Sequence, residues 1–140
     1  MLYCKRKNSN NWQFPQGGID KNEDIFDAAL RELYEEVGIE ENKIKLIKES
    51  DNWYKYDLPK KYKRNSFLWE SFKGQKQKWF LFKLIEETKI DLNNENNPEF
   101  DEFNWVDYWK PLDEIVDFKR EIYEKVLTEL EPAYKSEFSK

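Results

Sequence analysis

Residues 12–39 constrain this chain more than any other stretch. Trp12 and Phe14 alternate as on a strand, Pro15 follows, and Gly17 and Gly18 stand together before a helical pattern that closes on Gly38. The whole chain has only four glycines. Three of them within one strand–turn–helix passage mark places where the backbone must turn tightly or leave room for another group. In the helical part, Phe26, Ala29, Leu30, Leu33 and Val37 recur at three and four, which predicts a helix over residues 24–37 with one buried face. Glu23 and Asp24 place acid in its first turn, and Gly38 suits the left-handed position just past its end.

The remaining pattern predicts strands at 2–6, 12–14, 43–50, 53–59, 78–85 and 103–109, and a C-terminal helix at about 112–131. That last helix has Pro111 near its start and Ile115, Phe118, Ile122, Val126 and Leu130 on one face. Strands alternating with two substantial helices imply an α/β protein with a mixed sheet. At 140 residues one domain, 1–140, is expected. The run "NNENNP" at 93–98 reads as a surface loop.

The chain contains no histidine and one cysteine. Those two facts exclude Ser-His and Cys-His catalysis, histidine zinc sites and any soft-metal site within one chain. Carboxylates and oxygen-bound hard cations are what remain for chemistry. Cys4 is expected to be a small buried hydrophobe in a reducing cytoplasm. No run approaches the roughly 18 apolar residues of a membrane helix, and the start lacks the apolar core of a signal peptide. A net charge of −5 argues against bulk nucleic-acid binding. Lys55, Lys60, Lys61, Lys63, Arg64, Lys73, Lys76, Lys78 and Lys83 nevertheless form a basic segment, which either solvates a surface or attracts polyphosphate or an RNA end.

Glu32, Glu35 and Glu36 stand at i, i+3 and i+4, on one side of the first helix. At this spacing they repel by a few tenths of a kcal/mol per pair. Glu35 and Glu36 also meet the negative end of the helix dipole, which costs each a further ~0.3–1 kcal/mol. Arg31 can pair with Glu35 but cannot neutralise three carboxylates. The cluster is either a solvated acidic face or a site for a divalent cation, whose charge would reverse every one of these terms.

The spacing from Gly17 onward favours the site. Gly17, Glu23, Arg31, Glu32, Leu33, Glu35, Glu36, Gly38 and Ile39 fill every fixed position of G-x5-E-x7-R-E-U-x-E-E-x-G-U, U being apolar. On that box, at 17–39, the chain resembles the Nudix hydrolases. "WQFPQGGI", "YDLPKKYKR", "GQKQKWF", "PEF" and "DFKR" extend the resemblance over residues 1–130, to the branch of bacterial RNA pyrophosphohydrolases and dinucleoside polyphosphate hydrolases. It implies an α/β/α sandwich and metal-dependent hydrolysis of pyrophosphate bonds. The chain is similar to relatives that carry a further strand ahead of "LYCKRK". No such strand precedes it here, and the expectation is of unpaired neighbouring backbone at a cost of several kcal/mol, out of a total of roughly 5–15.

The resemblance also implies roles. Glu32, Glu35, Glu36 and Glu99 would bind Mg²⁺ or Mn²⁺, with Glu36, or alternatively Glu99, taking a proton from water and Glu35 completing the catalytic set. Glu23 and Arg31 would fasten loop to helix, while Gly17 and Gly38 are conformational, Gly17 passing close to the substrate's diphosphate. Arg6, Val116 and Phe118 would contact nucleobases, although Phe118 equally fits the apolar face of the last helix. Tyr56, Lys76, Lys78 and Lys119 are phosphate-contact candidates. Three functions follow: conversion of RNA 5′-triphosphate or diphosphate ends to monophosphate, promoting decay in the cytoplasm; asymmetric hydrolysis of dinucleoside tetra- to hexaphosphates; or nucleotide binding without turnover. None calls for a membrane or DNA, and the sequence leaves the oligomeric state open.

Overall fold

The computed structural model describes residues 1–15, 23–55, 76–95, 97–113, 115 and 117–138, with backbone alone at Lys55, Lys76, Asp117 and Phe118. The strands are β1 (Leu2–Arg6), β2 (Trp12–Gln13), β3 (Ile44–Glu49), β4 (Tyr54–Lys55), β5 (Lys76–Gln77), β6 (Phe80–Leu84) and β7 (Phe100–Trp105). The helices are α1 (Ile25–Val37) and α2 (Asp117–Phe138). Among the described residues the strands form three antiparallel ladders, β2-β1-β7, β3-β6 and β4-β5. β1 therefore has a partner on each side, so the unpaired backbone expected from the sequence does not fall on it. The outer edge of β7 has no partner among the described residues, and Phe103 and Trp105 on that strand are exposed.

Alternation along β1 separates two apolar layers. Tyr3 packs with Phe14, Tyr108, Ile115, Tyr123 and Leu127 on the α2 side. Cys4 packs with Val37, Ile39 and Phe100 on the α1 side. The two helices thus cover opposite faces of this ladder, a sandwich. Cys4 is fully buried, and burial pushes its thiol up to about 12, with the Glu36 charge adding to the shift. Among the described residues no helix is long and apolar enough to cross a membrane.

Two boundaries differ from the sequence expectation for tertiary reasons. β7 begins at Phe100, where it pairs with Arg6, and ends at Trp105, after which the Val106 N–H donates to the Met1 carbonyl at 2.8 Å. Tyr108 is released from the strand into the core, its hydroxyl donating to the Leu127 carbonyl at 2.8 Å. Pro111 lies in a short 3₁₀ turn, and α2 begins only at Asp117. It then runs through Pro132, because Tyr134 stacks on Tyr108 at 4.4 Å and Phe138 on Tyr134 at 4.9 Å. Ile115, Ile122, Val126 and Leu130 are buried as the periodicity requires. Tyr123 and Leu127 are buried too, since α2 touches two clusters rather than one.

A β-bulge and a turn shape the edge nearest the acidic helix end. The register of β1 against β7 shifts between Lys5 and Arg6, skipping Asp101. The freed Asp101 takes the Lys5 ammonium at 2.6 Å and the Asn8 N–H at 3.1 Å. Lys7 N–H then meets the Glu99 carbonyl at 2.8 Å, fixing the residue before β7 against the end of β1.

Gly38 closes α1 at φ +73°, its N–H donating to the Tyr34 carbonyl at 2.9 Å. A Cβ there would lie 2.8 Å from the Cβ of Asp91. Strain and contact act together, so Gly38→Ala is expected to lower stability by about 2 kcal/mol. Urea unfolding should show an earlier midpoint with an unchanged slope.

Candidate active site

Asp24 caps α1, its Oδ2 accepting the Phe26 N–H at 3.0 Å. Two turns further on, Arg31 ties the incoming chain to the helix. Its Nε and Nη2 donate to the two carboxylate oxygens of Glu23 at 2.8 and 2.9 Å, a bidentate fork. Its Nη1 donates to Glu32 Oε1 at 2.8 Å and to Glu35 Oε2 at 3.1 Å. One guanidinium thus serves three carboxylates.

Glu36 has no such partner. It is only 2 % exposed, and among the described residues both its carboxylate oxygens are buried without a hydrogen-bond donor. Its place in the periodicity explains why. Ala28, Glu36 and Val37 are the buried residues of α1, so the helix turns Glu36 inward beside Val37, toward Cys4 on β1. The solvated acidic face left open by the sequence does not describe this residue. Burial, then the charges of Glu99 and Glu32, push its carboxyl up to about 10. Burial also raises Glu32, against the pull of Arg31.

Glu99 is exposed at the start of β7. A further carboxylate, Glu95, stands near it. Glu95 is raised by burial and by the charges of Glu99 and Glu35, and it in turn raises Glu36. Among the described residues no three carboxylates are gathered tightly enough to grip an ion as placed. Arg31 holds Glu32 and Glu35, while the charge of Glu99 bears on both Glu36 and Glu95. The chemistry of the donors still fits a hard divalent cation. They are all carboxylate oxygens, and among the described residues the two on Glu36 are buried without a hydrogen-bond donor.

Cations line the neighbouring rim. Lys119, near the start of α2, donates from Nζ to Gln13 Oε1 at 3.0 Å. Burial, and then the charge of Arg6, lower its ammonium to about 8. Arg6 and Lys119 are therefore brought together, two chain segments apart in sequence, at the strand end next to Glu99. Gln13 was not singled out in the sequence. It is 2 % exposed, lies opposite Cys4 in the ladder, and leaves its Nε2 buried without an acceptor among the described residues. A glutamine between Trp12 and Phe14 in a buried strand was the available signal. Lys78 is engaged elsewhere, its Nζ donating to the Ser50 carbonyl at 2.7 Å and lying 5.5 Å over the Trp53 ring. Gly17, Tyr56 and Val116, the side chains of Lys76 and Phe118, and most of the basic segment lie outside the described residues.

Three comparisons bear on this arrangement. The family model for the NUDIX domain matches residues 1–126. A curated RNA pyrophosphohydrolase of Haemophilus ducreyi is 45% identical over 130 residues, covering 92% of this chain and 66% of that protein. The chain thus spans about two thirds of that relative's length. One from Aliivibrio fischeri is 44% identical over 133 residues, covering 92% and 76%. Among solved structures, a C. elegans Ap4A hydrolase binary complex matches with a TM-score of 0.65 at 19% identity, covering 94% of this chain and 86% of that one. The E. coli dihydroneopterin triphosphate pyrophosphohydrolase matches at 0.64 and 21%, covering 91% and 84%. At these identities the two structures speak to the fold.

The buried glutamate gives a pH signature. A carboxyl raised in the fold from 4.5 to about 10 costs nothing below its ordinary value, and the cost grows as pH rises from there. The slope approaches ~1.4 kcal/mol per pH unit for one fully shifted group. Without divalent ions, Glu36→Gln is therefore expected to melt above the parent at about pH 8 and together with it at about pH 4. Thermal unfolding at the two pH values checks this.

Proposed function

The chain belongs to the NUDIX domain family, and from that membership and the carboxylate cluster we propose that it hydrolyses the pyrophosphate bonds of RNA 5′-triphosphate and diphosphate ends. The observation that carries the reading is the approach of Glu99 and Glu32 to a buried Glu36 that lacks a donor among the described residues, beside the Arg6–Lys119 rim. The relatives at 44–45% identity over 92% of the chain, each named RNA pyrophosphohydrolase, support the choice of substrate.

Glu32, Glu35, Glu36 and Glu99 would hold Mg²⁺ or Mn²⁺. Bound there, the ions would supply charge neutralisation on the phosphates and activation of water. Of the two carboxylates suited to proton abstraction, Glu99 is the one solvent reaches and Glu36 the one without donors. That difference favours Glu99 as base and Glu36 as the deep ligand. Arg31 keeps the helix carboxylates oriented while its fork to Glu23 anchors the segment leading into α1. Arg6 and Lys119 would neutralise the remaining phosphate charge and hold the first nucleotides, their mutual repulsion relieved by the polyanion. A cytoplasmic location, where transcripts turn over, belongs to the same reading.

The decisive assay offers the protein triphosphate-ended RNA and, separately, diadenosine tetraphosphate, each with Mg²⁺ or Mn²⁺. Release of pyrophosphate or phosphate from RNA, leaving a monophosphate end, is expected. Production of ATP and AMP alone would move the assignment to dinucleoside polyphosphates. Glu35→Gln keeps the Arg31–Glu23 fork, so it should fold as the parent does by circular dichroism. Its turnover should fall by at least about 100-fold, more than loss of an outer-shell partner costs.

A further inference from the structure

The loop between β6 and β7 carries a single acid in an asparagine-rich run, Glu95 of "NNENNP". It is clamped to the end of α1. The last carbonyls of a helix lack partners within it. Here the Asp91 N–H takes the Val37 carbonyl at 2.8 Å, and Asn94 Nδ2 takes that of Tyr34 at 2.8 Å. Asp91 Oδ1 accepts the Asn93 N–H at 2.9 Å, tightening the turn between them. The next residue, Glu95, is thereby delivered to the acidic helix end. Its carboxylate accepts the Glu99 N–H, and its Oε1 is shut off from solvent with no donor among the described residues.

We propose that Glu95 is a fifth carboxylate of the centre, facing Glu36 and Glu99 and helping to hold a divalent cation there. The proposal rests on the reading of Glu32, Glu35, Glu36 and Glu99 as the metal centre. An acid whose only task was to keep an asparagine loop solvated would point its oxygens into water. This one turns an oxygen inward toward other carboxylates, the costly choice unless a cation arrives. Glu36, 2 % exposed and with both oxygens lacking donors among the described residues, faces the same demand. A cation between them satisfies both. Loop capping of the helix end and ion binding are then one device, because the bonds that close α1 also set the position of Glu95.

Calorimetric titration of the full chain with Mn²⁺ alone tests this on the parent, Glu95→Gln and Glu36→Gln. Glu95→Gln is expected to bind Mn²⁺ on the order of 10- to 100-fold more weakly. Glutamine can still accept the Glu99 N–H while removing one repelling charge. The metal-free variant should therefore melt above the parent and gain less on adding Mn²⁺. Parent-like affinity in Glu95→Gln, with binding lost in Glu36→Gln, would overturn the role of Glu95 and leave the centre standing. A lower metal-free midpoint would also overturn it, by making Glu95 a residue that serves the fold. No uptake of Mn²⁺ by the folded parent would remove the centre and this proposal with it.

Discussion

Negative charge packed into a place that water does not reach is the constraint around which the rest of the molecule is arranged. Glu36 cannot be moved outward without taking Val37 out of its contacts with Cys4, Ile39 and Phe100. The helix register that buries the apolar residue buries the acid beside it. Burial of one carboxyl and the approach of Glu99 and Glu32 raise its affinity for a proton. The fold stores a demand for positive charge at this point.

The surrounding elements make sense as supports for that demand. Arg31 meets part of it, on the Glu32 and Glu35 side, and directs Nε and Nη2 to Glu23. The bulge at Asp101 and the Lys7–Glu99 bond hold the start of β7 against the end of β1. α2 brings Lys119 across to Gln13 and Arg6. A carboxylate basin with a cationic border suits a polyphosphate, whose bridging ions and outer oxygens need opposite partners.

Much of this was legible in the residues themselves. The periodicity of α1, its glycine terminator and the spacing of Glu23, Arg31 and the three glutamates are local features, set within a few turns of one helix. β1 and the apolar residues of α2 were equally open to reading. Other features were not. β7 starts at Phe100 and stops at Trp105 because of what it pairs with, and α2 passes Pro132 because Tyr108 and Tyr134 stack. Gln13 looked like one polar residue in a strand, and Glu95 like part of a solvated loop. Each takes its meaning from a partner far off in sequence, Lys119 for the first and the end of α1 for the second.

The sequence by itself determined the family and the helix that presents the carboxylates, since these depend on residue type and on spacing along one turn-by-turn repeat. Only the tertiary structure decided which glutamate is buried, which lysine borders the acids and which loop adds another carboxylate. Those outcomes depend on desolvation, and desolvation is a property of everything packed around a group rather than of its neighbours in the chain.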